Sequence, residues 1–98
     1  MPRRSAAKPG IHTVRMHIVY ILESADRCHS YVGVTNNLER RLAEHNRGKS
    51  EHTSKHKPWK VHVYIAFTDR KGAEQFEKYL KSHSGRAFMK RHFWSLNA

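Results

Sequence analysis

The chain has 98 residues, with 19 Lys or Arg against 8 Asp or Glu and a formal charge of +11 when its 9 histidines are neutral. A chain this short holds one hydrophobic core, which excludes a multi-domain protein, and a hydrophobic share of 38% is enough to pack that core. The charge asks for a polyanionic partner, while the single cysteine, Cys28, excludes an internal disulfide and suits a reducing, cytoplasmic setting.

Residues 1–14 read as a flexible basic arm, with Pro2, Arg3, Arg4 and Pro9 and no apolar run, and residues 15–98 as the folded domain. No stretch predicts a secretory leader or a membrane span, so no membrane role is expected. Met16–Leu22 is rich in β-branched and aromatic residues and predicts a strand. Ser30–Thr35 resumes the pattern after Glu23–His29, which predicts a hairpin with a loop of about seven residues. Asn36 or Asn37 caps a helix over Leu38–Arg47 that stops at Gly48. A basic loop follows, and Lys60–Phe67 alternates as a third strand, with Val61, Val63, Ile65 and Phe67 on one face. Thr68 or Asp69 caps a second helix from Arg70 to about Ser82, Gly85 breaks it, and Arg86–Trp94 is compatible with a third helix. The expected fold is α+β: a three-stranded, mostly antiparallel β-sheet flanked by helices, in the order β-β-α-β-α-α.

Two helices carry charge where leucine belongs. Leu38, Arg41, Leu42 and His45 share one stripe, and Ala73, Phe76, Glu77 and Leu80 share another. Burying an unpaired charge is costly, so either Arg41 and Glu77 pair with each other as a structural bridge or snorkel past the core edge, or the two helices build a site. In the obvious hairpin register Tyr20 and Tyr31 point to the same side as those helices. Two phenols, a guanidinium, an imidazole and a carboxylate on a basic protein suit phosphodiester cleavage: arginine clamps phosphate, a carboxylate holds Mg²⁺, and tyrosine or histidine moves protons.

Val19-Tyr20-Ile21, Tyr31-Val32-Gly33, Asn37-Leu38-Glu39-Arg40-Arg41-Leu42 and the carboxylate helix together resemble the GIY-YIG nuclease superfamily, in particular its small single-domain bacterial members. The resemblance runs over approximately residues 16 to 94 and includes Glu44-His45-Asn46, Pro58-Trp59 and Tyr79-Leu80-Lys81-Ser82. It implies that Tyr20 is the general base or its relay to water, that Tyr31 contacts the scissile phosphate or orients the nucleophile, and that Arg41 stabilises phosphoryl charge. It also implies that His45 holds the histidine-or-tyrosine position one turn on, and that Glu77 is the single metal-binding glutamate. The chain departs from the family pattern in places: Val19 replaces the isoleucine and Ile18 the glycine of the first half-motif, Val34 stands where some members carry a lysine, and Arg86-Ala87-Phe88-Met89 where several carry an asparagine.

A phenol with a pKa near 10 is almost wholly protonated at neutral pH, so Tyr20 needs help from the metal, Arg41 or a hydrogen bond; His45 is the second candidate base. Glu74 competes with Glu77 for the metal, and the apolar stripe favours Glu77. Gly33, Lys49, Lys55, Lys57 and Arg86 are the expected nucleic-acid contacts. His52 and His56 are half a zinc site without a cysteine, and Cys28 is incidental. The leading expectation is a Mg²⁺-dependent DNA endonuclease that also accepts Mn²⁺, with a partner protein or DNA shape supplying specificity and the oligomeric state left open. The alternative is a binding module of the same fold with little or no turnover; an RNA-binding role explains the charge but not the inward Arg41 and Glu77.

Overall fold

Alternating β-branched and aromatic side chains make His17–Ser24 (β1) and Ser30–Thr35 (β2) an antiparallel hairpin, in the computed structural model that describes residues 15–94. The expected N-terminal arm, residues 1–14, lies outside the described residues. Trp59–Phe67 (β3) pairs antiparallel with the other edge of β1, so the sheet order is β2-β1-β3 and β2 is an edge strand. Helices Leu38–Asn46 (α1), Arg70–Leu80 (α2) and His83–His92 (α3), with a short 3₁₀ turn at Ser54–His56, complete the expected order. No helix among the described residues is long and apolar enough to cross a membrane.

The helices lie on both faces of the sheet. Val19, Ile21 and Val32 pack with Ala73, Leu80 and Met89 of α2 and α3, whereas Tyr20, Leu22 and Trp59 pack with Leu38 and Leu42 of α1. Neighbouring strand residues point to opposite faces, so the two cores are separated by the sheet itself. The expectation that both charged helices sit on the tyrosine side therefore holds for α1 and fails for α2.

Three local expectations are also corrected. β1 continues through Glu23 and Ser24, both buried and paired with Lys60 and Trp59, so the hairpin loop is shorter than its polar sequence suggests. In β3 the register steps from Ile21↔Val63 to Leu22↔Val61, leaving His62 as a bulge. The bulge sends Val61 to the α1 core and Val63 to the α2–α3 core, so the valines do not share one face. His62 instead donates from Nε2 to the Phe93 carbonyl (2.7 Å) and stacks on Trp94.

Finally, Gly85 does not break a helix; it lies buried inside α3, and a Cβ there would collide with the Tyr79 carbonyl and Leu80 backbone at the end of α2. The break comes earlier, where the Ser82 hydroxyl accepts the Gly85 N–H and caps α3. Asn37 and Asp69 cap α1 and α2 in the same way, and Gly48 takes the positive φ that ends α1.

Candidate active site

The phase of α1 turns His45 onto the face that meets β1, where it is fully buried. Its Nε2 lies 2.9 Å from the Tyr20 hydroxyl and its Nδ1 2.7 Å from Thr53 Oγ1. Tyr20 and Thr53 are as buried as His45, so the three form a buried chain of hydrogen bonds. The Trp59 indole fixes Thr53 by donating to its carbonyl (2.8 Å), and the Asn46 side chain holds the Trp59 backbone at both its N–H and its C=O. Opposite Tyr20 on β2 stands Gly33, and the phenol occupies the space that a side chain there would need.

Burial pushes the Tyr20 phenol above its ordinary pKa; the Arg41 guanidinium beside it pulls the other way, and the charges of Tyr31 and Glu77 add to the rise. Burial also holds His45 below the ordinary histidine value, helped by the positive charge of Arg41. At neutral pH the pair is therefore a neutral phenol and a neutral imidazole. Arg41 is half-buried, bonds Glu44 through Nη1 (2.9 Å), and is held firmly protonated by Glu44 first and by Tyr20 second. The Tyr31 ring sits 4.9 Å from the His45 ring and 6.2 Å from the Tyr20 ring.

Glu77 comes from the opposite face of the sheet. Its charge adds to the rise of the Tyr20 pKa. Its carboxylate pairs with Lys81 one turn on (2.6 Å), and the Lys81 ammonium lies 5.9 Å from the centre of the Tyr31 ring. The structural alternative raised by the sequence, a bridge between Arg41 and Glu77, does not form, because each has a nearer partner on its own helix. Glu74, the rival carboxylate, is more exposed and paired with Arg70.

Among the described residues no cluster of three His, Cys, Asp or Glu side chains could hold a metal ion. A lone carboxylate still fits Mg²⁺ or Mn²⁺ in a phosphodiesterase, because such ions keep several waters and take their remaining oxygens from phosphate. Glu77 is the residue that would hold it.

The basic residues named from the sequence fall in two places. Lys49, Lys55 and Lys57 are exposed on the segment between α1 and β3. Arg86 is exposed at the start of α3 and lines a cleft with Tyr31 and Lys81. His56 stacks on His29 and His52 is exposed, so the half zinc site is not assembled. Thr53 and Lys81 were not foreseen; a threonine in a polar loop carries no periodicity, and only its spacing from His45 and Trp59 in three dimensions reveals it.

The GIY-YIG catalytic domain family model matches residues 16–92. A UPF0213 protein of Bacillus licheniformis is 39% identical over 69 residues, covering 69% of this chain and 70% of that one. A UPF0213 protein of Lactiplantibacillus plantarum is 35% identical over 88 residues, 85% of each chain. The solution NMR structure of a UPF0213 protein from Bacillus halodurans is similar at a TM-score of 0.50 and 27% identity, covering 82% of this chain and 88% of that one.

Proposed function

The chain belongs to the GIY-YIG family, whose nucleases generally act on DNA with a divalent metal, and from that premise we propose that it is a cytoplasmic, Mg²⁺- or Mn²⁺-dependent endonuclease hydrolysing phosphodiester bonds in DNA. The observation that carries the reading is the buried Tyr20–His45 hydrogen bond beside Arg41, an arrangement a merely structural core would fill with apolar side chains.

The raised pKa of Tyr20 means that a free phenolate does not wait in the resting site. His45, kept neutral by burial, offers a lone pair at Nε2 when its Nδ1 proton is donated to Thr53 Oγ1. Tyr20 can then take a proton from the attacking water while passing its own to His45, so neither group needs to be ionised beforehand. The developing negative charge on phosphate meets Arg41, whose guanidinium Glu44 orients without neutralising all of its donors. Tyr31 lines the entrance and orients the scissile phosphate. A cation on Glu77 would polarise the phosphoryl group and stabilise the leaving oxygen.

The test is incubation with plasmid, branched and single-stranded DNA in Mg²⁺ and in Mn²⁺, with the Glu77→Ala variant as control. Cleavage by the wild type that disappears in the variant and in EDTA supports the reading. Salt-sensitive DNA binding with no product in either metal overturns it in favour of a binding module of the same fold.

A further inference from the structure

The edge strand β2 and the junction of α2 with α3 enclose a cleft of about 470 Å³ in which the proposed chemistry uses only Tyr31. Tyr31 forms one wall, and Lys81 and Arg86 bring positive charge to the other. Arg86 is exposed, and among the described residues no carboxylate lies within ion-pair distance of it. Lys81 is half exposed, and its ammonium stands between the Glu77 carboxylate and the Tyr31 ring. Beyond Glu77, which pairs with Lys81, the chain from Lys78 to Ala98 carries Lys78, Lys81, Arg86, Lys90 and Arg91 and not one Asp or Glu. Arg86 and Lys90 lie one turn apart on α3, so the positive strip continues from the cleft along the helix.

We propose that this cleft is a subsite for the DNA phosphate next to the scissile one, held by Lys81 and Arg86, and that Lys81 reaches it by releasing Glu77. The inference rests on the nuclease reading, which places the scissile phosphate at Tyr31. A phosphate in the cleft gives Lys81 a doubly favourable exchange: it gains an anion whose condensed counterions are released, and it frees a carboxylate whose other role is to hold a cation. Substrate binding and readiness for the metal are then coupled through one side chain, with Lys81 acting as a positioning residue.

The experiment measures binding of a short labelled DNA duplex to the full chain in EDTA, across a series of salt concentrations, for the wild type, Lys81→Ala, Lys81→Arg and Arg86→Ala. Each alanine variant is expected to bind several-fold more weakly and to lower the slope of log affinity against log salt by about one, with Lys81→Arg restoring the slope. Unchanged slopes, or no binding by the wild type at low salt, overturn the subsite. Mn²⁺ binding without DNA, followed by electron paramagnetic resonance, is expected to tighten several-fold in Lys81→Ala; equal Mn²⁺ affinity overturns the release of Glu77. Because binding is read where nothing is cleaved, a wild type that shows the Lys81-dependent slope yet cuts no DNA in Mg²⁺ or Mn²⁺ would sink the nuclease reading and leave the subsite standing.

Discussion

The Tyr20 hydroxyl lies 2.5 Å from the point where a Cβ on Gly33 would sit, and the two residues face each other across the β1–β2 ladder. Gly33 is therefore required by the phenol as a matter of volume. The expected outcome of Gly33→Ala is displacement of a buried ring with nowhere to go, a loss of about 1–3 kcal/mol of stability, and a broken bond to His45. Chemical denaturation measures the stability loss and the His45 side-chain resonances the broken bond; an alanine variant with wild-type stability and an unmoved His45 contradicts the packing account.

Thr53→Val keeps the shape of the side chain and removes the partner of His45 Nδ1. Leaving that nitrogen buried and unpaired should cost about 1–3 kcal/mol. It also removes the group that holds the imidazole in the tautomer needed at Nε2, so cleavage should fall by a larger factor than the stability loss explains. A thermal melt and a plasmid-nicking assay on the same preparation separate the two.

Arg41→Ala and Glu77→Gln are expected to reduce cleavage on the order of 10²- to 10⁴-fold, since each removes charge aimed at the reacting phosphate. Neither side chain is fully buried and each is paired within its own helix, so both variants should fold, as near-native circular dichroism would verify. Cleavage by Glu77→Gln at the wild-type rate would show that this carboxylate does not serve the metal.

His45 gives the protein a pH dependence whose sign follows from its depressed pKa. The unfolded chain takes up a proton at the ordinary histidine value of 6.5, and the folded chain only below it. Stability is thus fully present above 6.5 and falls as the pH drops from there through the folded value. Burial raises the Glu23 carboxyl but Arg27 more than offsets it, and the Arg41 hydrogen bond lowers Glu44 against burial; both therefore stay below the ordinary 4.5 and lose their contributions only at lower pH. Denaturation midpoints between pH 7.5 and 5.5 should decline in the wild type and much less in His45→Gln. The kcat/KM should drop toward acid only at lower pH than the onset of that decline, because the Nε2 lone pair is lost at the depressed folded value.

The order of the elements is legible in the residues alone, because hydrophobic period and cap residues are local: Asn37, Asp69 and Gly48 all act at their own positions in the chain. The sequence also shows that Arg41, His45 and Glu77 need an explanation, since helical spacing alone sets them among apolar neighbours. Tertiary structure decided everything that depends on how elements meet. Only packing places α1 and α2 on opposite faces and brings the Glu77–Lys81 pair beside Tyr31. Only the sheet register shows the bulge at His62, because one extra residue leaves the alternation of β3 looking regular while it moves Val61 to the other core. Gly85 reads as a helix breaker by composition and serves as a contact point by necessity, since α3 meets the end of α2 where no side chain fits. Thr53 becomes part of the site for the same reason: hydrogen bonds such as that from His45 to Thr53 are set by distances in space, which residue spacing along a loop does not encode.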